Sequence, residues 1–434
     1  MNVALAKTET ARAVNSVFAV ARERLPGSGK VADLRRQAFE AFERAGLPHR
    51  RIEEWKYTDL RALMREVLPL APTPDADAIR RARSALKTVR AKGAIKLVLV
   101  DGVFVAELSD AAAAGVSVTT LRAALEGGDS NLLATDATDA MIALNAAMAT
   151  DGVIISVADG ASLARPLQII HVATASKASS FTRSRLDIGK GARVTLIESF
   201  AAAEGAEAYQ DNDVVILSIG DGVDLSHVRL MGDALDAANI TSGIFAVGAK
   251  AKYNLFNMTS GGALSRFQGF VTLNGEGSEL NVNGVNLLKG TQHGDTTLVV
   301  DHAVPACTSR ELFRAVVDDR AHSVFQGRII VRPDAQKTDG KMMTRALLLS
   351  DESEADNKPE LEIFADDVTC GHGATAGALD ESLLFYLRAR GLSEKEAQAL
   401  LIQAFVGEAI EGIANDELRE AAMMAAQRWL EARA

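Results

Sequence analysis

A fourfold repeat constrains the fold of this chain more than any other feature. Written Gly-x-(Gly/Lys)-small-x-apolar, it occurs as Gly189-Lys190-Gly191-Ala192-Arg193-Val194 and Gly220-Asp221-Gly222-Val223-Asp224-Leu225. It returns as Gly248-Ala249-Lys250-Ala251-Lys252-Tyr253 and Gly275-Glu276-Gly277-Ser278-Glu279-Leu280, so the spacings are 31, 28 and 27 residues. A period of roughly 20–50 residues marks stacked units that bury one another's apolar faces because none can do so alone. Short β-branched runs accompany it (Val153-Ile154-Ile155, Leu167-Gln168-Ile169-Ile170, Val214-Val215-Ile216-Leu217), alternating with Gly, Asn and Asp turns. Helical periodicity is almost absent there. The expected core is a β-solenoid; a β-sandwich with chance Gly-x-Gly turns is the competitor.

Three regions follow. Residues 1–150 read as mostly helical with a small strand element, 151–375 as the β-solenoid, and 376–434 as a C-terminal helical unit. In the first region Leu34, Ala38 and Phe42, with Phe39 alongside, make one helical face that Gly46 and Pro48 terminate. Asp75 to Lys92 is again helical and basic, and Lys96–Val100, Asp101-Gly102, Val103–Val105 reads as a strand, turn and returning strand. In the last region Leu383–Leu387 crowd a helix that stops at Gly391, Ser393 and Glu396 form a capping box, and a final helix spans about Asp416 to Trp429. This unit is expected to cap the end of the solenoid, to dock a partner, or to do both.

Composition narrows the function. With 48% hydrophobic residues among 434 the chain can bury a large core, and two cysteines exclude a disulfide framework or a self-contained four-thiolate site. No run of about 18 apolar residues is present and Met1–Glu9 lacks a secretory pattern, so a cytoplasmic protein without a bilayer span is expected. Residues 1–92 carry 19 basic against 11 acidic side chains, but Glu40, Glu43, Glu53, Glu54, Asp59 and Glu66 interleave with the arginines. That mixture reads as solvated, internally paired helix faces and not as a nucleic-acid surface. There is no Walker A sequence, no complete Gly-x-Gly-x-x-Gly, no Gly-x-Ser-x-Gly and no His-Glu-x-x-His.

One constellation carries metal chemistry. Four of seven histidines (His293, His302, His322, His372) and both cysteines, Cys307 and Cys370, fall within 293–372. The densest spot is Thr369-Cys370-Gly371-His372-Gly373-Ala374-Thr375. In an extended segment a thiol and an imidazole two residues apart share a face, and glycines leave them accessible to a soft metal or cluster iron. Two ligands leave such a site incomplete, so others come from another chain or a small thiol. A buried structural cysteine beside a hydrogen-bonded histidine is the bland alternative.

Three long stretches stand out: Leu47 to Leu60 (Leu-Pro-His-Arg-Arg-Ile-Glu-Glu-Trp-Lys-Tyr-Thr-Asp-Leu), Asp301-His302 with Cys307-Thr308-Ser309 through Val324–Ile329 to Asp339, and Glu362–Val368 through Cys370–Thr375. In that order they resemble the SufB/SufD family of the SUF iron–sulfur cluster assembly system. The resemblance spans about 47 to 410. It points to the D-type subunit: Lys341–Ser350 lacks the cysteine of B-type members, and His372 stands where those have Glu. It implies a right-handed parallel β-helix that pairs with a SufB-like paralogue, His372 and Cys370 as candidate transient iron or cluster ligands at that junction, and a non-enzymatic scaffold role. It also implies C-terminal helices that dock a SufC-like ABC ATPase, with Leu383, Tyr386, Leu401 and Phe405 as candidate contacts. ATP enters only through that partner, and the family's association with reduced flavin has no motif here. An exposed solenoid end would also let the isolated chain form a homodimer. The competing functions are a β-helix enzyme acting on polysaccharide, which the low aromatic content of 5% disfavours, and a purely structural tether.

Overall fold

The computed structural model describes residues 16–64, 68–134 and 139–432. Met1–Glu9 and Glu66, read above for targeting and charge, lie outside them. Two sheets dominate. One contains β1 (Ile95–Val100), β2 (Val103–Phe104), β5 (Leu167–Ala173), β7 (Arg193–Ala202), β9 (Asp224–Gly232), β11 (Lys252–Thr259), β13 (Glu279–Leu288), β15 (Thr308–Val317), β17 (Asp339–Leu348) and β19 (Thr369–Gly377). The other contains β3 (Val116–Thr120), β4 (Val153–Val157), β6 (Ser179–Ile188), β8 (Gln210–Ile219), β10 (Ala238–Val247), β12 (Leu264–Leu273), β14 (His293–His302), β16 (His322–Val331) and β18 (Glu354–Ile363). From β4 onward the chain alternates between the sheets, and all pairing there is parallel, giving a β-solenoid of about 8 turns. The sandwich is excluded by that topology.

The sequence repeat is the coil register. Arg193 pairs with Asp224, Asp224 with Lys252, and Lys252 with Glu279, the same offsets as the repeated motif. Each motif glycine has its own cause. A Cβ at Gly275 would sit 1.9 Å from Ala249 N of the preceding coil, and one at Gly189 2.6 Å from Asp159 N. The third motif position is left-handed, with φ of 66° at Gly191, 67° at Gly222, 54° at Lys250 and 69° at Gly277. Asp101 and Gly102, with φ of 47° and 77°, make the tight turn between β1 and β2, as their pair of residues predicts.

Inward side chains stack in ladders, one rung per coil. The apolar interior includes Leu196, Leu225, Tyr253, Val282, Phe313 and Met342, all buried. The longer helices lie outside it: α1 (Lys30–Ala45), α2 (Ala76–Val89), α3 (Ala140–Met148), α4 (Glu381–Ala389), α5 (Glu394–Ile410) and α6 (Asp416–Glu431). The buried face of α1 is Val31, Arg35, Phe39 and Phe42, rotated from the expected Leu34–Ala38–Phe42 stripe because Arg35 is drawn in by the carbonyl oxygens of Ala147 and Ala149. As expected, many N-terminal arginines pair locally, Arg36 with Asp33 and Glu40, Arg81 with Asp77.

The C-terminal helices correct one expectation: they do not cap the solenoid end. Ile402, Val406 and Ile410 of α5 and Trp429 of α6 pack on the outer face of the first sheet, against Phe256, Met258, Val285, Leu287 and Val316. The capping box is present, Ser393 Oγ accepting from Glu396 N and the Glu396 carboxylate accepting from Ser393 N. Among the described residues the flank is therefore covered and the tip is left open, with β18 and β19 as the outermost strands of their sheets. No helix among the described residues is long and apolar enough to cross a membrane.

Candidate functional site

The open tip carries the Cys-x-His pair. His372 continues an inward ladder: it pairs with Met342, which pairs with Glu311, which pairs with Val282. Cys370 continues the neighbouring one, over Gly340 and then Ser309. Because the solenoid ends at this coil, a position buried in every earlier turn becomes exposed at His372. Cys370 is half-buried against the interior core, and that burial pushes its thiol pKa up. A Cβ at Gly371 would meet no atom within 4 Å, so the backbone between thiol and imidazole is open to an approaching group. This arrangement offers one accessible imidazole and one protonated thiol on the same face of the last strand.

Below the tip lies a group of buried polar side chains that sequence reading missed. Glu311 is buried and neither carboxylate oxygen has a hydrogen-bond partner. Burial raises its pKa to about 8, outweighing the opposite pull of Ser309 and Arg310. His302 Nε2 lies 3.0 Å from Ser309 Oγ while Nδ1 is unpartnered, and burial lowers this imidazole to about 4. Glu311 is thus a neutral acid at pH 7 on the ladder that ends in His372. In the unfolded chain Glu311 ionises near 4.5, but in the folded chain only near 8, so folded protein holds the extra proton between those values. Stability contributed by this group is fully present below pH 4.5 and falls as pH rises to 8. Glu311→Gln is expected to gain roughly 3–5 kcal/mol relative to wild type at pH 8 and nothing at pH 4, read as a pH-dependent shift in the urea unfolding midpoint.

The remaining members of the sequence constellation disperse. His293 Nε2 is 2.8 Å from Thr58 Oγ1 on the outer face of the second sheet, and His322 Nε2 is 2.8 Å from Asp356 Oδ2. Cys307 is buried at a corner, its Sγ 3.2 Å from Ser278 Oγ and 3.3 Å from the Gly275 oxygen. Only Cys370 and His372 stand at the tip.

The stretch Leu47–Leu60 proves to be a clasp. Trp55, 1% exposed, stacks under the Arg266 guanidinium at 3.8 Å and donates from Nε1 to Asp139 Oδ2 at 2.8 Å. The Glu54 oxygen accepts from Arg266 Nη2 and Gln326 Nε2, and Glu53 pairs with Lys358. One short segment therefore spans β12, β16 and β18, and reaches the tip coil. On the C-terminal helices Leu383, Phe385 and Tyr386 are exposed and Leu401 is half-buried, whereas Phe405 packs into the flank beside Arg314, 5.4 Å from its ring centroid.

Comparison with known proteins finds related sequences along most of the chain. A family model described as the SufBD core domain of SUF system FeS cluster assembly matches residues 171–405, and a second, the SufBD protein N-terminal region, matches 24–169. The iron–sulfur cluster assembly protein SufD of Escherichia coli is 31% identical over 88% of this chain and 89% of its own length. A SufBD family protein of Synechocystis is 30% identical over 85% and 84%, and SufD of Bacillus subtilis 26% identical over 61% of each.

Proposed function

The chain belongs to the SufBD family of SUF iron–sulfur cluster assembly proteins, and from that premise we propose that it is a non-enzymatic subunit of the assembly scaffold. Its open tip pairs with a SufB-like paralogue, and its C-terminal helices receive a SufC-like ABC ATPase that supplies ATP hydrolysis in trans. One observation carries this reading: the solenoid ends uncapped, with two unpaired strand edges and an exposed imidazole beside a half-buried thiol. The β19 edge, Thr369–Gly377, carries neither a charged residue nor a proline, and an edge of that kind favours strand addition by a second chain. A neutral imidazole ligates borderline-soft iron and gives way when a cluster moves on, which suits a shared, transient site. The exposed Leu383, Phe385 and Tyr386 lie on α4, beside the flank helices, and supply the apolar surface for the second partner.

Co-expression with SufB-like and SufC-like chains tests it. Wild-type protein is expected to co-purify with both. Phe364→Asp, at an exposed tip position, is expected to lose the SufB-like chain alone, and Tyr386→Asp the ATPase alone. Retention of both partners by both variants would overturn the assignment of the two surfaces.

A further inference from the structure

A second cluster of metal-ligating side chains lies deep inside the solenoid, far along the axis from the tip. His171 on β5 and Glu198 on β7 face inward from the first sheet, and Asp213 on β8 faces them from the second. Each offers one ring nitrogen or carboxylate oxygen, and those three atoms lie within 4.8 Å of one another. All three residues are buried, at 8%, 0% and 1% exposure. Two atoms here have no hydrogen-bond partner, His171 Nε2 and Asp213 Oδ2. An unpaired buried acceptor costs about 1–3 kcal/mol, so two in one place ask for a ligand that accepts their lone pairs.

We propose that His171, Glu198 and Asp213 hold one divalent first-row transition cation of the Zn²⁺ class, which pins the two sheets together at the N-terminal coils.

The surroundings are arranged as a ligand support. The His171 ring is stacked on Phe200 with centroids 4.4 Å apart and planes within 8°. Asp213 Oδ1 accepts from Thr182 Oγ1 at 2.5 Å, leaving Oδ2 turned to the cluster. Glu198 Oε1 is fixed by His227 Nε2 at 2.5 Å and Arg229 Nε at 3.2 Å. Such outer contacts hold ligands in place before the metal arrives. Burial lowers the His171 pKa to about 4, so its lone pair is available at neutral pH. Burial and the Glu198 charge raise Asp213 to about 7, the response of a carboxyl group crowded by another, which a cation between them would reverse. A tetrahedron with bonds of about 2.1 Å has edges of roughly 3.4 Å, so each side chain closes by less than about 1 Å.

Charge selects the metal. The Arg229 guanidinium already lies beside Glu198, and Arg183 acts on Asp213, so attraction to a cation is partly spent. Hard ions such as Mg²⁺ and Ca²⁺, bound by charge and oxygen alone, lose most from this. An imidazole nitrogen favours Zn²⁺ or Fe²⁺, and the absence of sulfur from the ligand set disfavours Cu⁺.

The test uses the full chain carrying Cys370→Ser and His372→Ala, so that the tip contributes no metal. After growth or refolding with Zn²⁺ and dialysis against a weak chelator, elemental analysis is expected to find about one zinc per chain. Asp213→Asn, close to isosteric, is expected to lower that at least tenfold, and His171→Gln likewise. X-ray absorption at the zinc edge is expected to show one imidazole with oxygen neighbours and no sulfur. Less than one zinc per ten chains after loading, full retention of zinc in Asp213→Asn, or a sulfur shell would each overturn the proposal.

Discussion

Arg266→Ala is expected to destabilise the chain by about 3–5 kcal/mol, read as a lowered urea unfolding midpoint, because it strands a buried carboxylate. Arg266 and Asp295 are both fully buried and pair through Nη1 and Oδ2. The same guanidinium donates Nη2 to the Glu54 oxygen at 2.7 Å and lies 3.8 Å above the Trp55 ring. Removing it leaves Asp295 with only Thr58 and Thr297 as partners and leaves Trp55 without its cation. The loss exceeds that of an ordinary hydrogen bond because the remaining charge stays out of water. The double replacement Arg266→Met with Asp295→Leu is expected to recover a large part of the stability, since a buried pair exchanged for apolar groups is often neutral. If the double variant is as unstable as the single one, the clasp works through geometry and not through charge.

This clasp marks a boundary of what sequence can tell. The stretch Leu47–Leu60 stands out as unusual, yet its partners are Asp139, Arg266, Gln326 and Lys358, which no local pattern connects to it. The repeat was legible for a physical reason. Its corners need a left-handed residue and close passage of neighbouring coils, and glycine answers both. Beyond Gly277 the coils continue, but the left-handed corner falls to Ala306 (φ 59°) and Lys337 (φ 64°), so the pattern fades while the fold does not.

The candidate site divides in the same way. Cys370 and His372 were readable because i and i+2 share a face of one strand. Glu311 was not, since it meets them only through the rungs Val282–Glu311–Met342–His372, each about 30 residues apart. His171, Glu198 and Asp213 come from three strands in two sheets and leave no trace in sequence spacing. The placing of the C-terminal helices did have a signal. Phe256, Met258, Val285, Leu287 and Val316 point outward, so those strands are apolar on both faces, as strands covered by helices are.

His372→Ala is expected to lower iron–sulfur cluster assembly by the reconstituted complex at least tenfold while leaving the fold unchanged. The side chain is exposed and terminal on its ladder, so its loss uncovers no cavity and falls within the roughly 0.5 kcal/mol typical of surface substitutions. That separation makes the measurement informative, because a functional loss cannot be traced to unfolding. Two companion variants distinguish a ligand from a mere contact. His372→Cys keeps a donor for iron and is expected to retain more activity than alanine, whereas His372→Gln keeps polarity and size but is expected to behave as alanine does. Gel filtration of each complex supplies the control. If His372→Ala dissociates the SufB-like chain, the imidazole acts by holding the interface. If the complex stays intact and assembles clusters at the wild-type rate, the imidazole has no part in the chemistry, and the open coil serves only to join the two solenoids.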